Sequence, residues 1–371
     1  MVADFDTIDI NINVGPQHPS THGVFRMVLT VDGELVRDLD AVVGYLHRGA
    51  EKLLENQDYR QGIGIQDRTE YLAQFPAEQS YVMAAEKLGG FVVPERAEYV
   101  RVICVELNRI ASHFMFMGAY GTDVGVFGTS FIYGFRERER VYRFFEELTG
   151  ERMMYSYFRV GGLAWEVMDG FEEKARALLQ ELKRGINDIN GLLTRNEIFI
   201  ARTRHVGEIS AERAIEYGLS GPVLRSTGVR WDVRKDEPYS VYDRFDFDVP
   251  VGEFGDCYDR YMVRLEEMRQ AVRIVEQALD QMPKSGPIMP EKMPRMLRLP
   301  AGEVYVPVES ARGEYGVYLV SRGGNHPWRC RVKSPCFTNL QALREMTVGE
   351  YVADSVVILG SIDLVLSEVD R

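Results

Sequence analysis

Residues 94–114 have the sequence PERAEYVRVICVELNRIASHF, and this stretch decides the fold class. Its apolar residues recur every three or four positions, at Val100, Ile103, Cys104, Leu107, Ile110, Ala111 and Phe114. That spacing places them on one face of an α-helix. Pro94 stands at the start of the stretch, where a helix accepts proline because the first turn does not use that backbone N–H. The pattern therefore predicts a long amphipathic helix.

Three other segments repeat this helical spacing. They cover about residues 131–148, 171–196 and 255–281. The clearest apolar stripe belongs to the second of them and consists of Leu178, Leu179, Leu182, Ile186, Ile189 and Leu193. Four long amphipathic helices must bury their apolar faces against one another, which predicts a helical bundle.

The two ends of the chain have the residue alternation that is typical of strands. Residues 25–31 and 34–36 flank Asp32-Gly33, which predicts a hairpin with a tight turn. An earlier strand is predicted from the alternation of Ile8, Ile10 and Ile12. After a proline-rich stretch, three more strands are predicted at residues 304–308, 317–320 and 328–332.

These elements together predict an α+β fold that is mainly α, with a central bundle of long helices between two β regions. The predicted boundaries divide the chain into an N-terminal β region at residues 1–45, a helical domain at 46–285 and a C-terminal β region at 286–371.

Composition excludes several classes of protein. The net charge of −12 argues against a nucleic-acid-binding protein, which needs a basic face. No apolar run approaches the roughly 18 residues of a membrane span, and the first ten residues lack the basic region of a signal peptide. The four cysteines show no CxxC spacing, so we expect reduced thiols and no metal or iron–sulfur cluster held by this chain. We expect a soluble protein on the cytoplasmic side.

Two residues could hold a ligand by hydrogen bonds. His22 belongs to the loop GPQHPSTHG at residues 15–23, whose prolines and glycines restrict its shape. Beside Gly23 the imidazole could face a ligand, or it could merely bond the backbone. Tyr71 is predicted at the start of a helix rich in small residues, and its phenol is a neutral donor suited to a carbonyl oxygen. The chain has 19 tyrosines, however, and most of them must be packing residues.

Two charged residues stand among small or apolar neighbours. Asp123 follows a long apolar helix and is either exposed or buried with a partner, for which a histidine is suited. Arg312 lies between two predicted strands and either reaches inward or forms an ordinary charged turn. The chain has no phosphate-binding GKS/T loop, GxSxG elbow, HExxH motif or complete GxGxxG motif. The residues alone therefore do not define a reaction.

Several blocks of sequence resemble one known family. The loop at residues 15–24, GPQHPSTHGV, resembles the opening signature of the 49-kDa subunit of respiratory complex I, also called the D-type subunit. The resemblance continues in order to the C-terminus, in GYLHRG at 44–49, ELNRIASH at 106–113, FRERE at 135–139, GVRWDVRK at 228–235 and ESARGE at 309–314.

That family is similar to the large subunit of [NiFe] hydrogenases, in which two CxxC pairs hold nickel and iron. The resemblance implies a hydrogenase-like fold and puts the four ligand positions at Glu70, Ala73, Val365 and Glu368. None is a cysteine, and these side chains cannot form a soft dinuclear metal site. Hydrogenase activity is therefore not expected.

The resemblance also implies a function. In the family the vacated cavity receives a quinone headgroup, with His22 and Tyr71 as its hydrogen-bonding pair and Asp123 as the acid that pairs with His22. Electrons would come from a [4Fe-4S] cluster in the neighbouring small iron–sulfur subunit, and quinone reduction would be coupled to proton translocation.

The resemblance further implies partners and a location. The implied partners are the small iron–sulfur subunit (B type), the 30-kDa subunit (C type), a ferredoxin-like subunit (I type) and a membrane subunit (H type). The implied location is the cytoplasmic face of the membrane, where the chain would be a peripheral subunit.

One position departs from the family. Many members have a histidine beside the cluster where this chain has Met154. The loss of a cationic or hydrogen-bonding neighbour lowers a cluster's potential, which predicts a low-potential acceptor such as menaquinone or methanophenazine. The electron donor stays open between NADH, a reduced deazaflavin coenzyme and ferredoxin. A non-catalytic scaffold subunit, connecting the arms of the same complex, is the alternative function.

Overall fold

A computed structural model describes residues 9–18, 23–126 and 128–371. Its first element is an antiparallel sheet of three strands in the order β1-β2-β3: β1 (Ile10–Val14), β2 (Arg26–Asp32) and β3 (Leu35–Val42). The predicted hairpin is present, but its turn lies one residue later, because Asp32 pairs with Leu35 and Gly33-Glu34 connects them. Gly33 has a left-handed φ of 63°, which glycine adopts without a steric penalty.

One face of this sheet is buried. Along β2, Met27, Leu29 and Val31 are at most 2% exposed, while the residues between them are partly exposed. This is the alternation expected of a strand that covers a core on one side. The sheet is joined to the C-terminal part of the chain by backbone hydrogen bonds from Val36 N to Glu350 O and from Val352 N to Glu34 O.

The centre of the molecule is helical. The five helices that follow the sheet are α1 (Ala50–Asn56), α2 (Gln61–Thr69), α3 (Gln74–Gly89), α4 (Glu95–Asp123) and α5 (Thr129–Thr149). The later long helices are α6 (Phe171–Leu193) and α11 (Cys257–Gln281). All four predicted long helices are therefore present: three have boundaries within a few residues of the prediction, and α4 continues beyond the 94–114 stretch to Asp123.

Helix α4 is more deeply buried than its sequence pattern predicted. Every residue from Tyr99 to Phe114 is buried, including the charged ones. A one-sided apolar stripe would have left the other face exposed, but α3, α5, α11 and α14 (Val352–Ile362) surround this helix. Its arginines and acids must therefore find partners inside the protein.

Two glycines allow α4 and α5 to touch. A Cβ atom added at Gly134 would lie 2.4 Å from the carbonyl oxygen of Phe114, and one added at Gly118 would lie 3.2 Å from the Cα of Phe131. The two backbones are therefore in direct contact at this point. Because Phe131 belongs to the first turn of α5, the contact also fixes that residue relative to the end of α4.

Short elements connect the long helices. The two-residue strands β4 (Phe158–Arg159) and β5 (Gly162–Leu163) pair with each other. Between α6 and α11 lie α7 (Glu197–Thr203), α8 (Ala211–Glu216), α9 (Gly221–Arg225), α10 (Val233–Asp236) and a 3-10 turn at Tyr242–Arg244. Asn196, Ser210 and Asp232 cap α7, α8 and α10 by accepting backbone N–H groups with their side chains.

The C-terminal region begins with the predicted strands, which form an antiparallel sheet of β6 (Ala301–Ser310), β7 (Gly313–Arg322) and β8 (Arg329–Lys333). Four helices that were not predicted follow: α12 (Pro335–Leu340), α13 (Leu343–Thr347), α14 and α15 (Leu366–Asp370). The predicted α+β, mainly α, fold class is confirmed. None of the helices in the described part of the chain combines the length and hydrophobicity that crossing a membrane requires.

Candidate functional site

A cavity of about 360 Å³ lies where the break between α2 and α3, the last turns of α4, the start of α5 and the turn after α14 meet. Two of the three predicted site residues, Tyr71 and Asp123, line it. The third, His22, lies outside the described residues, but Gly23, which follows it, is part of the wall. The remaining wall residues are Leu72, Met115, Phe116, Ala119, Thr122, Phe131, Asp363 and Leu364.

Tyr71 lies in a non-helical segment and not at the start of a helix, as the sequence had suggested. Helix α2 ends at Thr69 and α3 begins at Gln74, so Tyr71 projects from the connection between them. Within the described residues, no hydrogen bond engages its hydroxyl group. Burial raises the pKa of Tyr71, and the neighbouring Glu70 carboxylate adds to the rise. The phenol is therefore neutral at physiological pH and can donate a hydrogen bond into the cavity.

Asp123 is the last residue of α4 and is partly buried at the same cavity. Its position at the end of the long helix matches the sequence prediction. The predicted partner, His22, belongs to the residues that are not described, so the His22–Asp123 pairing stays a prediction.

A buried layer of charge lies behind the cavity wall. Glu70 accepts backbone N–H groups of Leu72 and Ala73 with one carboxylate oxygen, at 2.9 and 3.0 Å. Its other oxygen lies 3.0 Å from a guanidinium nitrogen of Arg312. The same guanidinium donates to the carbonyl oxygen of Asp363 at 2.8 Å and lies 3.3 Å from the Asp363 carboxylate. Arg312 therefore reaches inward, which is one of the two alternatives that the sequence left open.

The four positions that the sequence resemblance assigned to hydrogenase metal ligands are close by. Glu70, Ala73, Val365 and Glu368 are all fully buried. Glu368 accepts hydrogen bonds from the Ser334 hydroxyl at 2.7 Å and the Cys336 backbone N–H at 3.2 Å.

Their chemistry does not suit a thiolate-bound metal. Burial raises the pKa of Glu368 to about 7, and Glu70 contributes to the rise. The side chains at these positions are two carboxylates, a methyl group and an isopropyl group, none of which is a soft ligand, and Arg312 lies beside Glu70. Cys336 is the one thiol near Glu368 among the described residues, and burial raises its pKa well above the usual value.

Two other features of the described residues could be taken for sites: a group of side chains of metal-binding types and a second cleft. The exposed His205 and Glu208 and the buried Asp256 bring ligand atoms within 4.8 Å of one another. Both Asp256 oxygens already accept backbone N–H groups, from Asp259 and His205, so its role as the cap of α11 accounts for its position. A larger cleft of about 530 Å³, lined by Arg96 and Glu166 among others, contains none of the predicted site residues.

Several wall residues were missed by the sequence analysis. Four wall residues share one face of α4, because each follows the previous one by four, three or one residues along the helix: Met115, Ala119, Thr122 and Asp123. Following the helical pattern beyond Phe114 would have grouped them with Asp123. No local signal identified Asp363 or Leu364, because they reach the cavity through tertiary packing of the C-terminal segment.

Comparison with known proteins identifies the family. A family model described as "Respiratory-chain NADH dehydrogenase, 49 Kd subunit" matches residues 123–297 and 291–371. The D subunit of an NADH-quinone oxidoreductase from Desulforamulus reducens is 52% identical over 364 residues, covering 98% of this chain and 99% of that protein. Proteins of the same name from Carboxydothermus hydrogenoformans and Bacillus cytotoxicus are 50% and 47% identical, also over 98% of this chain and 99% of their own length. The chain therefore belongs to the family of the 49-kDa subunit of the respiratory-chain NADH dehydrogenase, as its sequence blocks predicted.

Proposed function

We propose that this chain forms the quinone headgroup site of a complex I-type oxidoreductase and that Tyr71 is the hydrogen-bond donor to the quinone. The observation that carries the proposal is the cavity itself. Tyr71 and Asp123 line the same space, and no described residue accepts or donates a hydrogen bond at the Tyr71 hydroxyl. A volume of about 360 Å³ falls within the range of small-molecule sites.

The chemistry of the wall suits a quinone. Met115, Phe116 and Ala119 offer an apolar surface to a flat ring, while Tyr71 offers a donor to a ring carbonyl. Because burial and Glu70 raise the pKa of Tyr71, the phenol keeps its proton until a strong base forms beside it. Reduction builds negative charge on the carbonyl oxygen, and a fixed donor in an apolar surrounding stabilises that charge.

The complete reaction takes two electrons and two protons to the quinone and gives the quinol. In the assembled complex, the electrons would come from a [4Fe-4S] cluster held by the small iron–sulfur subunit. Tyr71 and His22 each donate a proton to one carbonyl oxygen, and Asp123 stabilises the charge on the His22 imidazole. The changed charge of this group biases the surrounding loops and couples the reaction to proton translocation in the membrane subunits.

The proposal also includes the partner subunits, the electron donor and the location of the chain in the cell. The chain contacts the small iron–sulfur subunit, the 30-kDa subunit, the ferredoxin-like subunit and the H-type membrane subunit, on the cytoplasmic face of the membrane. The relatives are named NADH-quinone oxidoreductases, which favours NADH over deazaflavin or ferredoxin as the ultimate electron donor, and a quinone over methanophenazine as the acceptor.

Met154 supports a low-potential, menaquinone-like acceptor. Its backbone has a left-handed φ of 61°, a conformation that non-glycine residues adopt at an energetic cost. A methionine there offers neither charge nor an N–H donor to a neighbouring cluster. Redox titration of the cluster in the assembled complex is the check. The Met154→His variant should have the higher potential, and equal potentials would contradict the proposal.

Tyr71→Phe tests the central function. Removing one oxygen atom keeps the ring and its packing, so the complex should assemble while NADH:quinone activity falls by about 100-fold or more. NADH oxidation with ferricyanide, which bypasses the quinone site, should not change. Tyr318→Phe is the matched control, because Tyr318 lies in β7 and its hydroxyl bonds the exposed Glu303. A scaffold role predicts full quinone activity in Tyr71→Phe, and that result would refute the quinone site.

A further inference from the structure

Arg312 connects two walls of the cavity from behind. We propose that Arg312 is a positioning residue that locks the Tyr71 turn against the Asp363 turn and thereby fixes where the Tyr71 hydroxyl points. The inference rests on the proposed function, because it concerns the geometry of the same site. Arg312 itself does not line the cavity, so it acts through the residues that it holds.

The turn that carries Arg312 is firmly anchored. Asn339 donates to the Arg312 carbonyl oxygen at 3.2 Å, and the Arg312 backbone N–H donates to the Ser310 hydroxyl at 3.2 Å. The next residue, Gly313, has a φ of 132°, and a Cβ there would lie 2.4 Å from the Ser220 hydroxyl oxygen. The guanidinium therefore extends from a fixed base, which is what a positioning role requires.

The first wall is held through Glu70. Its carboxylate oxygen accepts the N–H groups of Leu72 and Ala73, so the acid closes the turn that presents Tyr71. Arg312 bonds the other oxygen of that carboxylate at 3.0 Å, with both side chains fully buried. Without the guanidinium, a buried carboxylate loses its cation, and the turn loses the contact that sets its orientation.

The second wall is held through Asp363. This residue has a left-handed φ of 61°, and Arg312 bonds both its carbonyl oxygen and its carboxylate. Asp363 and Leu364 line the same cavity as Tyr71 and the end of α4. Only a planar guanidinium with several N–H donors can bond the Asp363 carbonyl oxygen, the Asp363 carboxylate and the Glu70 carboxylate at the same time. A lysine ammonium on a flexible side chain cannot reproduce that geometry.

The experiment compares Arg312→Lys with Arg101→Lys in the assembled complex. Arg101 is the matched control, because it is equally buried and lies away from the cavity. It also bonds one carboxylate, that of Glu86, and two backbone carbonyl groups, those of Arg159 and Gly162.

Two measurements are needed. Steady-state kinetics with a short-chain quinone would separate kcat from KM, and ferricyanide reduction would show whether electron input is intact. Amide hydrogen exchange at Leu72 and Ala73 would report the turn directly.

In Arg312→Lys, we expect kcat with quinone to fall by about 10- to 100-fold, a larger change than that in KM, with faster exchange at Leu72 and Ala73. Arg101→Lys should leave kcat and those two amides unchanged. Unchanged kcat and exchange in Arg312→Lys, or equal changes in both variants, would overturn the inference.

Glu70→Gln provides a second test in case the Arg312→Lys complex does not assemble. Glu70→Gln keeps the side-chain size and an acceptor oxygen but weakens the Arg312 contact, and it should give the same pattern with a smaller change. Wild-type kinetics and wild-type amide exchange in Glu70→Gln would overturn the inference even if Arg312→Lys does not assemble.

The two proposals can fail separately. If Tyr71→Phe keeps quinone activity while amide exchange at Leu72 and Ala73 still rises in Arg312→Lys, the proposed function is wrong, but the positioning role of Arg312 is supported.

Discussion

Helix α4 takes part in two buried polar regions of opposite character. Its middle contributes Glu106, Arg109 and His113 to a network of charges, and its end contributes Asp123 to the cavity. In the network, Glu106 is contacted by Arg109 at 3.1 Å and by Arg234 at 3.0 Å. At the cavity, the hydroxyl of Tyr71 has no such contact among the described residues.

The network continues across the bundle to α11. His113 contacts Glu267 at 2.9 Å, and Arg225 contacts Glu267 at 2.6 Å and Glu309 at 2.8 Å. Each of these acids is at most 1% exposed. Arg225 lowers the pKa of Glu267 against the effect of burial, which would otherwise raise it, and His113 adds to the lowering. Glu267 therefore depends on its guanidinium partner to stay charged inside the protein, whereas burial raises the pKa of Glu309 to about 7 despite the contact with Arg225.

The contrast between the charge network and the cavity separates two kinds of buried polar group: those that hold the fold together and those that are available to a ligand. Where every acid has a guanidinium partner, the side chains join α4, α9, α11 and β6 and so hold the fold together. Where a phenol lines a cavity and has no hydrogen bond from the described residues, a ligand can supply the missing acceptor. The sharpest tests of this contrast are changes that break one region and spare the other.

Arg225→Met should have the largest effect on stability. It removes the cation from Glu267 and Glu309 together, and breaking a buried ion pair from one side costs about 3–5 kcal/mol. The free energy of unfolding in urea should fall by that amount, or the chain should not accumulate in folded form. Arg244→Met removes an exposed arginine that pairs with Glu95 and should cost at most about 1 kcal/mol. Equal effects of the two variants would contradict the assignment of the network to stability.

The protonation of Glu368 should make stability depend on pH. Its pKa is about 7 in the folded protein, raised by burial and by Glu70, whereas an unfolded glutamate has its usual lower pKa of about 4.5. The contribution is therefore fully present below pH 4.5 and is lost as pH rises through about 7, amounting to roughly 3 kcal/mol. Glu368→Gln should flatten the decline of unfolding free energy between about pH 4.5 and 7. An unchanged slope would show that this carboxyl group does not titrate there.

Gly134→Ala should force α4 and α5 apart. The added methyl group would lie 2.4 Å from the Phe114 carbonyl oxygen, so the unfolding free energy should fall by about 1–3 kcal/mol. Quinone activity should fall as well, because Phe131 in the first turn of α5 lines the cavity. Gly191→Ala in α6 is the control, as its Cβ would meet nothing within 4 Å and should stabilise the helix by up to about 1 kcal/mol. Equal stability of the two variants would contradict the close contact.

Asp123→Asn should have the smallest effect on stability and a selective effect on activity. Asp123 is partly exposed at a helix end, so the unfolding free energy should change by less than about 0.5 kcal/mol. If Asp123 stabilises a charged His22, quinone reduction should fall about tenfold while ferricyanide reduction is unchanged. The comparison of kcat at several pH values in both proteins is the measurement. A variant with the wild-type pH profile would argue against that pairing.

The sequence predicted the long helices well because their apolar spacing is a local property. It predicted the burial of α4 poorly, because Glu106, Arg109 and His113 gave no indication that partners on other elements would enclose them. The helices after β8 were missed for a related reason: they are short and depend on packing for their stability.

The candidate site was predictable only in part. Tyr71 and Asp123 were identified through the family resemblance, and the structure brings both to one cavity. The inward reach of Arg312 could not be derived from its neighbours, since a charged turn has the same local sequence. Its contacts with Glu70 and Asp363 join residues that are far apart in the chain, and such contacts carry no local signal.

The most direct test of the proposed quinone site is a density map of the assembled complex with a short-chain quinone bound. The account predicts a headgroup between Tyr71 and the end of α4, with the Tyr71 hydroxyl oxygen about 2.6–3.2 Å from a quinone carbonyl oxygen. A headgroup held elsewhere, with that hydroxyl more than about 5 Å from either carbonyl, lies beyond hydrogen-bonding distance and would contradict it.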